Sequence, residues 1–343
     1  MSKILILRFS AMGDVAMTVP VIYSFAVKYP QHEITVLSRS PFKSLFDQLP
    51  ANVKFISADF NGKYKGLKGL NLLYRELKCQ NFDFVADFHA VLRSNYLTFR
   101  FKLDGVRTAS IDKGRAEKKK LTRRTNKVLV PLQSSFHRYQ AVLQQMGFEF
   151  ELNFHSIYPS EIPFELDIQP KVGEKLNIKY LGIAPFAKHL GKIYPIELQE
   201  QVIAHFAKDS KIELFIFGGG ADEKKIVDQW VSKYPSINSM VGKLGLSEEL
   251  QFISKLDLMF SMDSANMHLA ALVDTKVLTL WGATHPYAGF LAWNQNNDNI
   301  IQQDLPCRPC SVYGNKACHR KDYACLHQTF PSTIIQKIEN LLF

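Results

Sequence analysis

Lys3-Ile4-Leu5-Ile6-Leu7-Arg8-Phe9 runs directly into Ser10-Ala11-Met12-Gly13-Asp14, and a stretch with helical spacing then covers residues 15–29 and stops before Pro30. A short apolar run closed by small residues and succeeded by that spacing reads as a buried strand, a tight turn and a helix. The unit recurs. Residues 33–38 and 84–88 are further strand-like runs, and alternation of strand with helix argues for a parallel sheet covered on both faces. A polar segment containing Pro159, Pro163 and Pro170 reads as a link between domains. Beyond it the pattern restarts, with strands expected at 180–184, 212–217, 256–261 and 276–281 and helices at 195–208, 222–234 and 265–272.

The fold class expected is therefore α/β, as two Rossmann-like doubly wound domains, 1–160 and 161–330, facing each other across a cleft. A last amphipathic stretch, 331–343, carries Ile334, Ile335, Ile338 and Leu341 on one side. It is expected to form a helix. A chain of 343 residues suits two domains, and its 46% apolar and 22% charged composition is that of a globular protein. No run of about 18 apolar residues and no secretory leader is visible, so the chain reads as cytosolic.

The net charge of +10 is concentrated in residues 113–127, which hold Lys118-Lys119-Lys120 and Arg123-Arg124. Such a patch is either a solvated loop or a surface for anionic lipid or phosphorylated glycolipid. Nucleic acid is not an expected partner, because neither interleaved aromatic residues nor a recognition helix or zinc finger accompanies the charge. Four of the five cysteines, Cys307, Cys310, Cys318 and Cys325, form C-x2-C-x7-C-x6-C. They are either the ligands of a structural zinc or free thiols packing a loop.

Ligands of open parallel sheets bind at the carboxyl ends of strands, which directs attention to four turns. Asp14 in the first is a helix cap or a general base. The second, 184–195, offers Lys188, His189 and Lys192, cations suited to a diphosphate. The third, Gly218-Gly219-Gly220-Ala221-Asp222-Glu223, lets backbone approach a ligand but lacks the dinucleotide fingerprint. In the fourth, Asp263-Ser264-Ala265-Asn266-Met267-His268, a helix N-terminus could receive phosphate, while Asp263 suits a cap or sugar hydroxyls.

Together, and in this order, the turns resemble those of glycosyltransferase family 9, the ADP-heptose:lipopolysaccharide heptosyltransferases. Arg8 to Asp14 resembles its N-terminal signature, and Asp83-Phe84-Val85-Ala86-Asp87-Phe88-His89 with Arg93-Ser94 is similar to its D-L-H/Q…R-S stretch. Pro185 through Pro195 is similar to P-G-A…K-R-W-P, Asp263 to His268 to D-T-G-x-x-H, and Trp281-Gly282-Ala283-Thr284-His285-Pro286 to its Y/F-G-x-T-x-P strand exit. Phe186, Ile193-Tyr194 and Ser264-Ala265 depart from the patterns at Gly, Arg-Trp and Thr-Gly.

The resemblance implies the GT-B fold, with the C-terminal helix, 331–343, packing back on the first domain, and inverting transfer of heptose from ADP-heptose to a lipid A–core oligosaccharide or similar glycolipid, peripherally at the inner membrane. It implies that Asp14 is the catalytic base and that Lys192, Asp222, Asp263, Ser264, Ala265 and His268 hold the donor. Ser10, Met12, Gly13, Lys188, His89 and Arg93 are expected to touch donor or acceptor. No Asp-x-Asp pair occurs, so neither metal nor cofactor is expected beyond the nucleotide sugar. A nucleotide-sugar epimerase of the same fold, or a non-catalytic nucleotide-sugar or glycolipid-binding protein, is the alternative.

Overall fold

The computed structural model describes residues 1–158 and 177–343. The expected linker prolines lie outside the described residues. The chain divides into two compact units, one made of Met1–Arg115 and Gln133–Ile157, the other of Ala116–Leu132 and Tyr158–Phe343.

In the first unit the order is β1 (Lys3–Leu7), α1 (Met12–Ala16), α2 (Val19–Lys28), β2 (Glu33–Ser38), β3 (Val53–Ser57), α3 (Gly66–Lys78), β4 (Phe84–Asp87), α4 (Leu92–Leu103) and β5 (Arg107–Ser110). The five strands form a parallel sheet in the order β3-β2-β1-β4-β5. Ile4 to Leu7 are wholly buried at its centre, each such side chain contributing roughly 1.5–3 kcal/mol of burial. The strand order reverses between β1 and β4, where Leu7 pairs with Asp87. That is the position at which an open sheet presents its ligand crevice.

The helix expected over 15–29 is two helices. Pro20 has no N–H to donate and its ring would crowd the carbonyl four residues back, so the first helix stops at Ala16 and a second starts with proline in its first turn.

After α5 (Arg115–Leu121), which begins at the boundary, α6 (Ser135–Gln144) returns to the first unit. The intervening segment belongs to the second unit, a correction to the expected division at residue 160. Its attachments are specific: the Leu132 N–H donates to Tyr287 O at 2.9 Å, and Lys127 Nζ donates to the carbonyls of Pro306, Arg308 and Pro309 at 3.2, 2.7 and 3.0 Å. Lys118 Nζ lies 4.3 Å from the Phe290 ring centroid.

The second unit runs β6 (Lys179–Ala184), α7 (Ile196–Phe206), β7 (Ile212–Ile216), α8 (Ala221–Lys233), β8 (Ile237–Ser239), α9 (Leu246–Ile253), β9 (Leu258–Met262), α10 (Ala265–Leu272), β10 (Val277–Trp281), β11 (Ile300–Gln302), α11 (Ala324–His327) and α12 (Pro331–Leu342). Its six parallel strands have the order β11-β10-β9-β6-β7-β8, with the reversal between β6 and β9. The expected strands and helices of this half are present within two residues at each end. The apolar stripe of the C-terminal helix has its partner within the second unit. Ile334, Ile338 and Leu342 of α12 are buried in the core of the second unit, against α7 and β9, and Glu339 pairs with His205 at 3.0 Å. Spaced four residues apart, they make one stripe, and the second unit's own sheet takes it.

Candidate active site

At the first unit's strand exits, Arg8 is buried just past β1. Its Nη1 donates to Phe88 O at 2.8 Å, and its Nη2 lies 3.0 Å from Asp14 Oδ2. Asp14 stands in the first turn of α1, where the same oxygen accepts from the Ala11 N–H at 3.3 Å, and its backbone carbonyl accepts from Tyr139 OH at 3.3 Å. The carboxylate is thus aimed by an arginine and still 35% exposed. The capping role and the accessibility a base needs coexist.

Across the switch point, Asp87 Oδ1 accepts the N–H groups of His89 and Ala90, both at 2.8 Å, and so closes the turn after β4. The Phe9 N–H donates to His89 Nδ1 at 3.3 Å. Burial, reinforced by the charges of Arg8 and Lys113, lowers the imidazole to about 3. His89 is therefore neutral near pH 7, and because Nδ1 accepts, its proton resides on Nε2 as a donor.

A cavity of about 440 Å³ opens here, lined by Ser10, His89 and Arg93 as expected, together with Arg39, Phe60, Leu92 and others. Phe60 packs on Phe9 and carries the Arg93 guanidinium over its ring at 5.3 Å. Met12 and Gly13 sit beside Asp14 in α1 and do not line this cavity. Arg39 was legible as the residue leaving β2, since every strand exit of a parallel sheet faces the same edge.

In the second unit Asp263 leaves β9 and is only 5% exposed; Lys192 Nζ lies 2.9 Å from its Oδ2, and Thr284 Oγ1 donates to the same oxygen at 2.7 Å. Ser264 is the N-cap residue of α10, half-buried with Ala265 after it, and His268 is buried one turn further on. The first-turn N–H groups of α10 have no intrahelical acceptors, which makes this a natural anion seat beside the lysine. Lys188 is exposed.

Asp222 and its neighbour Glu223 differ in placement. Its side chain is 99% exposed, whereas Glu223 turns inward and accepts the Gly219 N–H at 2.7 Å, burial raising its carboxyl above the usual range. A methyl on Gly218 would lie 2.9 Å from Glu223 Oε2 and 3.0 Å from Phe186, so glycine is required for the glutamate to fold back.

Of the two readings of the cysteine segment, the structure agrees with free thiols packing a loop. Among the described residues no group of three His, Cys, Asp or Glu has a metal-holding arrangement. Cys325 is instead part of the second apolar core, where burial pushes its thiol up to about 12. Cys310 and Cys318 donate to Ala283 O and Asp322 Oδ1, each at 3.9 Å, and Cys307 is half-buried nearby in the sequence. What the segment supports is Lys192. Buried Arg308 donates through Nε to Gly282 O at 2.6 Å and through Nη2 to Trp281 O and Thr284 O at 3.0 and 2.9 Å, bracing the exit of β10. Gly314, at φ +75°, lies against the Lys192 stem so closely that a methyl would be 2.6 Å from Cγ. Neither residue carried a sequence signal, because each acts through contacts distant along the chain.

Comparison with known proteins adds an independent finding. The family model for glycosyltransferase family 9 (heptosyltransferase) matches residues 71–320. The chain is 26% identical over 187 residues to lipooligosaccharide heptosyltransferase 2 of Campylobacter jejuni, a match spanning 53% of this chain and 57% of that protein. It is 27% identical over 304 residues to the lipopolysaccharide core heptosyltransferase OpsX of Haemophilus influenzae, spanning 86% and 83%. In structure it is similar to the Escherichia coli heptosyltransferase WaaC with ADP, with a TM-score of 0.68 at 17% identity over 99% of both chains. The two doubly wound units are those of the GT-B class.

Proposed function

From the premise that the chain belongs to glycosyltransferase family 9, we propose that it transfers heptose from ADP-heptose, with inversion, to a lipopolysaccharide core or related glycolipid. The observation that carries this reading is the Lys192–Asp263–Thr284 cluster beside the N-terminus of α10, in which Asp263 and Thr284 are buried and Lys192 is half-buried. Asp263 neutralises and fixes Lys192 while the lysine keeps further N–H donors for an anion.

In the transfer, Asp14 removes the proton of the acceptor hydroxyl as that oxygen attacks the anomeric carbon opposite the departing diphosphate. Arg8 holds the carboxylate in its working orientation, and neutral His89, Ser10, Arg39 and Arg93 bind the acceptor sugar. Lys192, the N–H groups of Ser264 and Ala265, and His268 take the charge that develops on the ADP leaving group. Glu223, in place of Asp222, accepts from the ribose hydroxyls. The lysine supplies the positive charge, so no divalent ion is needed.

The acceptor is anionic. The exposed Lys119, Lys120, Arg123 and Arg124 are available to its phosphates or to a membrane, whereas Lys118 and Lys127 of the same patch are held within the second unit. Among the described residues no helix is long and apolar enough to cross a membrane; the proposed location is the cytoplasmic face of the inner membrane, bound peripherally.

Thermal melting with ADP-, GDP- and UDP-sugars tests the donor, since a ligand at about 100 times its Kd adds roughly 2.7 kcal/mol. Stabilisation by ADP-heptose, with heptose appearing on the acceptor in EDTA, is expected. A response confined to another nucleotide sugar, or an epimerised sugar with no acceptor modified, overturns the assignment.

A further inference from the structure

Helix α4 carries Leu92, Phe99 and Leu103, which are 89%, 57% and 68% exposed. At 100° per residue these three positions fall within about 40° of one another, so they form one outward stripe. The opposite face supplies the core: Leu97 and Phe101 are buried, and Phe101 packs on Tyr74 and Phe82. The outward stripe is thus in excess of what the fold requires, and it is flanked by cations. Lys102 lies on one side and Arg93 on the other, Arg100 being held by Asn71 Oδ1 and Tyr96 OH and over the Tyr74 ring, and no acidic residue occurs in the helix. An aligned apolar stripe bordered by basic side chains is the pattern of a helix lying at an anionic membrane interface, where the long basic chains reach out to the headgroups.

We infer that the outer face of α4 docks on an anionic phospholipid bilayer. A second copy of the chain fits less well, because a twofold contact would place the same cations opposite each other. Leu92 and Arg93 also line the cavity beside His89, so the docked face sets the cavity mouth at the membrane surface. This last consequence rests on the proposed function: a lipid-linked acceptor enters with its sugar while its acyl chains stay in the bilayer.

The test is co-sedimentation of the full chain with vesicles of phosphatidylcholine, with and without phosphatidylglycerol. Wild type is expected to bind the mixed vesicles and to release in high salt. Phe99→Ser/Leu103→Ser is expected to bind them at least about tenfold more weakly, a loss of roughly 1.4 kcal/mol or more, and Lys102→Glu is expected to show a smaller loss. Melting temperature and transfer to a detergent-dispersed acceptor should be unchanged, since these side chains touch neither the cavity nor the core. Equal binding by the double variant and wild type overturns the inference, as does a wild-type dimer that the double variant turns into a monomer. If the double variant is misfolded, Lys102→Glu decides by the same criterion. The two proposals fail separately: transfer without α4-dependent binding removes only the membrane face, and α4-dependent binding without transfer removes only the transferase.

Discussion

Asp14 in the first unit and Asp263 in the second are both carboxylates at a strand exit, each paired with one cation at about the same distance, 3.0 Å from Arg8 and 2.9 Å from Lys192. Their surroundings differ. Asp14 is 35% exposed and shares its charge only partly, so it can meet a substrate hydroxyl; Asp263 is 5% exposed, and Thr284 donates to the oxygen that already faces the lysine. The same residue type is therefore left open to solvent in one unit, as the proposed base requires, and is enclosed with a cation in the other.

The comparison is broken most directly by removing each carboxylate. Asp14→Asn should reduce kcat by about 10²–10⁴-fold with donor binding retained, as loss of a general base does; full activity in a steady-state assay would remove Asp14 from the mechanism. Asp263→Ala should destabilise the second unit by about 1–3 kcal/mol, because it removes the partner of the half-buried Lys192 charge and leaves the buried Thr284 hydroxyl without its acceptor. Denaturant unfolding followed by tryptophan fluorescence reads this unit specifically, since Trp230, Trp281 and Trp293 all belong to it. A shift of less than about 1 kcal/mol would place the pair among ordinary surface salt bridges.

Acidity separates the units further. His89 is neutral in the folded first unit down to about pH 3, whereas an unfolded imidazole protonates near 6.5. Its contribution is present above 6.5 and is lost as pH falls toward 3. Glu249 of α9 behaves oppositely: burial raises it to about 7 from 4.5, so its contribution is present below 4.5 and is lost as pH rises toward 7. Each window corresponds to about 3–5 kcal/mol. In stability–pH curves, His89→Asn should flatten the acid limb and Glu249→Gln the segment between pH 4.5 and 7; unchanged curves would contradict both environments.

Smaller effects sharpen the second site. Gly314→Ala, strained at its positive φ and pressed on Lys192, should lower stability by about 1–3 kcal/mol and raise the donor KM. A variant with wild-type KM would show that the loop does not position the lysine. Glu223→Gln should weaken ADP-heptose binding about tenfold, near 1.4 kcal/mol, while Asp222→Asn leaves titrated affinity within about twofold; the reverse result would restore Asp222.

The periodicity around Lys3–Leu7 and its recurrences sufficed for two parallel α/β sheets, because alternation of strand and helix is written in neighbouring residues. The turn motifs likewise located Asp14, His89, Lys192 and Asp263, since a strand exit follows its strand in sequence. Where a stripe such as Ile334–Ile338–Leu342 docks was not legible, because an amphipathic pattern states that a face must be buried and not against which sheet. That Glu223 turns inward while Asp222 faces solvent needed the helix phase, which differs by 100° between adjacent residues. The contacts of Arg308 and Gly314 arose only when the chain brought their loop to Gly282 and Lys192. Local order came from the sequence; partners far apart along the chain were decided by packing, since burial rewards any complementary apolar surface and only the assembled fold selects one.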